Sequence, residues 1–312
     1  MLHVYRPSNR ISATGIFFLL LAVLCGGLAF GGLAFALSRL VWLIVLFPIG
    51  LGIAAGAILS GVITRQRVRN PALAAASGLL MALVIYGTLN YGGYLSFQSE
   101  MRKAASEEGV LAADAQDALI NMVLASETGS TGFFGYLRLM AQEGVSIGRV
   151  GSSNQATLPE PLTWAYWLIE LGIIGVIAAL AAREAAKKPF CETCQQWYSG
   201  GTHVGSAADA AKEQLLGAAR SGSFRQVGQS LSRQSVGSPS LEVYIAHCRA
   251  EQDHPSILTI RHSSLDSKGK LQFKDLLTAM IAPHEVAGLQ RGLSEQNEAA
   301  APERPEHELV GV

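Results

Sequence analysis

Apolar residues dominate four long stretches of the chain. Two follow one another almost without a break, about residues 16–37 and 41–63; a third covers about 71–91 and a fourth about 162–184. Crossing a hydrocarbon core of about 30 Å takes roughly 20 helical residues at 1.5 Å rise each, so every stretch is long enough. The pattern predicts an α-helical integral membrane protein, multi-pass, with four transmembrane helices. Asn70-Pro71 and Pro159-Glu160-Pro161 mark two helix starts, because proline in the first turn gives up no hydrogen bond. Pro48, inside the second stretch, is expected to kink it.

Between the third and fourth stretches, residues 93–161 read as an external helical segment. Phe97, Met101, Ala104 and Ala105 recur at helical spacing up to Gly109. Asp114 is placed to cap a second helix carrying Ala118, Leu119, Met122 and Val123. A third begins after Ser130-Thr131, sets Phe133, Phe134, Leu137 and Met140 on one side, and stops at Gly144. Residues 145–149 read as a turn or strand and 151–158 as a polar linker. After the fourth span, residues 185–202 form a junction, and 203–293 predict a small cytoplasmic α+β domain. In it, 207–220 and 224–233 read as a helical hairpin turning at Gly222, while 241–245 and 257–260 read as strands. Asp266 to Gly269 then turn into Leu271-Gln272-Phe273, 283–293 form a last helix, and the Glu- and Pro-rich residues 294–312 read as a disordered tail.

Composition agrees with a chain partly dissolved in lipid. Hydrophobic residues make up 49% and charged residues 15%, against roughly 25% charged in soluble domains; the mean hydropathy is +0.28. The formal net charge is zero, so the bulk basic field that draws proteins to nucleic acid is missing and nucleic acid is set aside as a partner. Arg6 and Arg10 precede the first stretch and Ala34-Phe35-Ala36 resembles a cleavage site, but the run exceeds the about 7–15 apolar residues of a signal peptide, so the span is read as retained.

Lys and Arg accumulate on the cytoplasmic side of short loops. Arg6 and Arg10 lie before the first span, Arg39 alone between the first and second, Arg65, Arg67 and Arg69 between the second and third, and Arg183, Lys187 and Lys188 after the fourth. Both termini therefore read as cytoplasmic. Gly27 and Gly31, Gly52 and Gly56, and Ser60 lie four apart on single helix faces, where small residues let backbones approach in lipid. Packing of the first span on the second is the expected use, with a homo-oligomer interface as the alternative.

Two places carry chemistry. Glu170 is the one ionisable residue well inside a span, and Tyr86, Thr88 and Asn90 lie at a depth to hydrogen-bond it. It reads either as a polar clamp between helices or as a proton or ion site of a small transporter or channel-like subunit. Cys191 and Cys194 form a Cys-x-x-Cys pair, half of a tetrahedral zinc site that Cys248, His203 and His247 are candidates to complete. Two copies of the pair meeting across an oligomer axis, a membrane thiol-redox role, and inert structural cysteines are the alternatives. Zinc is the cofactor these residues imply. A catalytic constellation cannot be assembled from the tail, since His247 and Cys248 would alternate faces if both lay in a strand.

Arg67-Val68-Arg69-Asn70-Pro71, Glu143-Gly144-Val145-Ser146-Ile147-Gly148-Arg149 and Phe190-Cys191-Glu192-Thr193-Cys194 resemble a family of uncharacterised bacterial membrane proteins. The resemblance implies a bacterial inner (plasma) membrane location and brings no established activity. The expected role is a non-enzymatic interaction or scaffold protein, embedded in the lipid bilayer, whose cytoplasmic domain binds a protein partner.

Overall fold

The computed structural model describes residues 3–38, 46–109, 112–147, 156–234, 236–248 and 254–299. The chain divides into two compact units, Ser8–Lys187 and a second formed by Met1–Pro7 together with Lys188–Val312. The chain opens with a short strand, β1 (His3–Val4). It continues through helix α1 (Ala13–Leu21), a π-helical turn (Ala22–Gly26), α2 (Gly27–Ser38), α3 (Leu46–Arg65) and α4 (Pro71–Glu107). Helices α5 (Ala113–Thr128) and α6 (Gly132–Glu143), the paired strands β2 (Ser146–Ile147) and β3 (Ala156–Thr157), and α7 (Glu160–Lys187) complete the helical unit.

Four helices in this unit are long and apolar enough to cross a membrane: Ala13–Ser38, Leu46–Arg65, Pro71–Glu107 and Glu160–Lys187. Ser12 caps the first by accepting the Gly15 amide at 3.0 Å, and Asn70 caps α4 by accepting the Leu73 amide at 2.9 Å. Large apolar side chains such as Leu24, Leu79, Leu168 and Ile169 face outward, while Ala55, Ala74, Ala178 and Ala182 are buried. That inversion suits a lipid surround, where close backbone approach rather than water exclusion holds helices together.

Glycines set the approaches. A Cβ added at Gly78 would lie 2.5 Å from the Ala179 nitrogen, so α4 and α7 cross backbone to backbone. Gly52 and Gly56 meet Ile177 and Ala181 of α7, and Gly27 and Gly31 meet Val84 and Thr88 of α4. The glycine faces thus work within the chain as expected, but with other partners: the first hydrophobic helix packs by them on the third and the second on the fourth. The pairings also fix directions. Contacts of α3 with α7 and of α2 with α4 advance together along both chains, whereas Gly78 faces Ala179 and Gly175 faces Ala82, so α4 and α7 are antiparallel.

Two local expectations change, while that of a kink at Pro48 depends on residues 41–45, which lie outside the described residues. The third helix does not end near residue 91. It runs 37 residues, about 55 Å at 1.5 Å per residue, because Gly92 and Gly93 act as seats for the Phe35 ring and the Tyr136 hydroxyl instead of as a stop. Asp114 sits in the first turn of α5, whose N-cap residue is Ala112. The segment between α4 and α7 is anchored by aromatic rings: Phe133 packs edge-on to Tyr91 and Tyr94, and Tyr136 against Tyr94 and Phe97, with centroids 5.5 to 5.8 Å apart. The expected Arg39 and Arg149, and most of the 151–158 linker, fall outside the described residues.

In the second unit, β4 (Phe190–Cys191) and β5 (Gln196–Trp197) form a tight hairpin. There follow β6 (Thr202–Ala208), helices α8 (Lys212–Ser221) and α9 (Phe224–Gln229), strands β7 (Ser240–Ala246), β8 (Ser256–Leu265) and β9 (Leu271–Ile281), and α10 (Pro283–Ala299). The main sheet is antiparallel in the order β1-β9-β8-β7-β6. Strand alternation puts Leu241, Val243 and Ile245 of β7, Leu258 and Ile260 of β8, and Leu277, Ala279 and Ile281 of β9 on one face, which the three helices cover with Leu215, Val227, Leu289 and Leu293. The small α+β fold is as expected, with three differences. Residues 207 and 208 close the strand β6 instead of opening the helix, and Ser206 of that strand exchanges two backbone hydrogen bonds of 2.8 Å with Ser232. Helix α10 continues past Leu293 to Ala299, where the Glu295 carboxylate accepts from Arg225 Nε at 3.1 Å and Gln229 Nε2 at 2.8 Å. The N-terminal strand also belongs here: His3 pairs with Met280 and Val4 with Ala279.

Candidate metal centre

The Cys-x-x-Cys pair lies where β4 turns into β5. Cys191 ends β4, Cys194 is in the turn, and Gln195 takes a left-handed conformation with φ 54° that reverses the chain within four residues. The hairpin is fixed from behind. Phe190 is buried and packs edge-on against Trp197 at 5.0 Å, and its amide donates to Tyr5 Oη at 3.1 Å. Tyr5 in turn donates to the Lys188 carbonyl at 3.2 Å, while its own amide bonds the Thr278 carbonyl of β9 at 3.1 Å. A residue near the start of the chain therefore ties the cysteine hairpin to the sheet.

The connection after β7 brings the other half. Cys248 follows the strand by two residues, and His254 precedes β8 by two. Ligand atoms of Cys191, Cys194, Cys248 and His254 all lie within 4.8 Å of one another. His254 Nδ1 is 2.8 Å from the Cys194 sulfur and 4.0 Å from that of Cys191. Ligands at about 2.3 Å (sulfur) and 2.0 Å (nitrogen) from a tetrahedral zinc would be separated by roughly 3.5–3.8 Å, so three thiolates and one imidazole need only small side-chain adjustments to enclose one ion. Cys191 and Cys248 are buried, Cys194 half-buried. Tyr198 closes the rim, donating from its hydroxyl to the Pro255 carbonyl at 2.7 Å, next to His254.

The hydrogen bond from Cys248, then desolvation and Cys191, push the Cys194 thiol up to about 12. Burial first, then the neighbouring Cys191, pushes the Tyr198 phenol well above its usual range. A divalent cation held by these residues would convert three thiols to bound thiolates and release their protons.

Of the expected ligands, Cys191, Cys194 and Cys248 come together and the two histidines do not. His203 is on β6, bonded through Nε2 to Ser206 Oγ at 3.1 Å and packed edge-on to Tyr244. His247 follows β7 directly and its Nδ1 engages Ser256 Oγ at 2.9 Å. The fourth residue of the cluster is His254, which the sequence reading missed. Its signal was the Cys248-x₅-His254 spacing, a second short ligand pair matching the first.

In the helical unit, Glu170 is buried on α7. Its carboxylate accepts from Tyr86 Oη of α4 at 3.2 Å and from Tyr166 Oη, one turn earlier on its own helix. Asn90 adjoins this contact: its amide donates to the Tyr86 carbonyl at 2.8 Å, and its side chain also hydrogen-bonds that of Tyr86. Thr88 packs against Gly31 instead. Tyr166 is the partner that sequence reasoning passed over, although its place four residues before Glu170 puts it on the same helix face.

Comparison with known proteins adds no name to this geometry: no family model matches the chain, and neither a curated protein nor a solved structure is significantly similar to it.

Proposed function

We propose that the chain is a four-span integral protein of a bacterial inner membrane that carries a zinc-stabilised α+β domain on the cytoplasmic side, where that domain binds a protein partner. One observation carries the domain reading: three cysteines and a histidine from two separate connections converge with ligand atoms within 4.8 Å. Four protein ligands fill a tetrahedral zinc and leave no open position, the arrangement of structural rather than catalytic sites. The zinc would staple the β4–β5 hairpin to the β7–β8 connection, in a unit whose remaining core is a single helix-covered sheet face.

The β1–β9 pairing supports the membrane topology. β1 precedes the first apolar helix and β9 follows the fourth, so their pairing supports a topology in which both segments lie on one side, as an even number of crossings requires. Arg65, Arg67 and Arg69 lie at the turn joining α3 to α4, and Arg183 and Lys187 in the last turns of α7, which is parallel to α3; the basic end of the helical unit is therefore the cytoplasmic one. Glu170 is read as a polar clamp between α4 and α7, since two tyrosine hydroxyls occupy its carboxylate.

The test is thermal unfolding of the full chain with Trp42, Trp164 and Trp167 replaced by phenylalanine, so that Trp197 fluorescence alone reports, with and without a strong zinc chelator. The proposal expects the domain transition to fall by tens of degrees or vanish on chelation and to return with added zinc, because structural zinc binding is folding free energy. An unchanged transition would defeat it.

A further inference from the structure

Between α1 and α3 runs a groove of about 540 Å³, within the range of small-molecule clefts. Phe18 forms one wall. Ala57, Ile58 and Gly61, exposed on the outer side of α3, form the floor, and Arg65 with Gln66 closes the end where α3 stops. Ala57, Gly61 and Arg65 are each four apart, so they stack along one line of the helix. Nothing lies within 4 Å of a Cβ built on Gly61. The floor is thus an open channel, not a helix contact already in use.

We propose that this groove holds an anionic phospholipid of the cytoplasmic leaflet, one acyl chain along Ala57 and Gly61 and its phosphate on Arg65. The inference rests on the membrane reading above. Chemistry matches position: the lining is apolar over the stretch that would lie in hydrocarbon and becomes cationic at the last residue of the helix, at headgroup depth. Arg65 is exposed and has no ion pair among the described residues, whereas Lys187, also at this end, is paired with Glu184 at 2.6 Å. Arg67 and Arg69 follow in the same turn and hold the surrounding field positive. A guanidinium offers a phosphate two parallel hydrogen bonds, and the Gln66 amide supplies a further donor beside it.

The experiment uses the full chain in mild detergent, incubated with phosphatidylglycerol or with phosphatidylethanolamine of the same acyl chains and read by native mass spectrometry. Wild type is expected to retain one phosphatidylglycerol in preference. Arg65→Gln should lower that retention about fivefold, the contribution of one arginine near an anionic headgroup, and leave phosphatidylethanolamine unchanged. Gly61→Phe should lower both by filling the channel, and Leu168→Phe, on the exposed side of α7, should lower neither. Equal retention by wild type and Arg65→Gln, or no headgroup preference in wild type, overturns the proposal. So does a Gly61→Phe variant that breaks an oligomer without changing lipid retention. Release of the protein from membranes by alkaline carbonate would bring down the membrane reading itself, whereas loss of lipid selectivity in a carbonate-resistant protein refutes the groove alone.

Discussion

Glycine-to-alanine substitution should have opposite signs at two positions of the same helix. At Gly78 the new methyl carbon would lie 2.5, 2.6 and 2.7 Å from the backbone nitrogen and Cα of Ala179 and the carbonyl carbon of Ala178. Ordinary carbon contacts sit near 3.5–4.0 Å, so α4 and α7 must separate by about 1 Å, and neither partner is a side chain that can swing aside. Overpacking of this kind costs about 1–3 kcal/mol, and the separation also stretches the Tyr86–Glu170 bond two turns away. At Gly87 the added methyl meets nothing within 4 Å, so only the helix preference for alanine over glycine, about 1 kcal/mol, is felt. Gly78→Ala should therefore unfold earlier than wild type in a denaturing-detergent titration, and Gly87→Ala at the same point or later. Equal stability of the two variants would refute the helix crossing at Gly78.

Replacing Glu170 by leucine should destabilise the helical unit by about 1–3 kcal/mol, because two tyrosine hydroxyls lose their acceptor, while Glu170→Gln, which keeps an acceptor oxygen, should unfold within about 1 kcal/mol of wild type. Reconstituted vesicles of Glu170→Gln should show the same proton and ion flux as wild type; a loss of flux in a folded variant would convert the clamp into a transport site. Adding zinc to metal-free protein in weak buffer at pH 7.5 should release protons, since the thiols, with Cys194 pushed up to about 12, enter protonated and leave as bound thiolates. Zinc affinity should accordingly rise with pH, and an affinity flat between pH 6 and 8 would argue against thiolate ligation. In the metal-free protein the sign is reversed: the folded state holds the Cys194 proton above the ordinary thiol value of 9.0, so stability is lost as pH rises from about 9 towards 12.

The four apolar helices were legible because length and hydropathy alone mark them, and caps such as Asn70 and stops such as Gly144 located several ends. What escaped was decided by contacts between distant residues. Glycine spacing showed that faces of α2 and α3 would be approached closely but not by which helix, since Val84 and Ile177 offer similar apolar surfaces to any partner. The apolar stretch ends near residue 91, yet the helix runs on through Gly92 and Gly93, since a helix accepts two glycines at modest cost when Phe35 and Tyr136 fill the space they leave. Strand β6 lacks an alternating pattern because a bulge interrupts it between His203 and Gly205, where Gly205 and Ser206 are packed closely on Leu231 and Ser232. For the metal centre, Cys191 and Cys194 were found by their spacing; which histidine joins them is decided by where β8 starts beside the hairpin, which sets His254, and neither His203 nor His247, against the sulfurs.

Metal content by elemental mass spectrometry on protein purified without added metal is the most direct test of the domain reading. About one zinc per chain is expected in wild type, in His203→Ala and in His247→Ala, and a strongly reduced content in Cys194→Ser and His254→Ala. Wild type without zinc, or zinc retained by His254→Ala and lost from His203→Ala or His247→Ala, would contradict a centre built from Cys191, Cys194, Cys248 and His254.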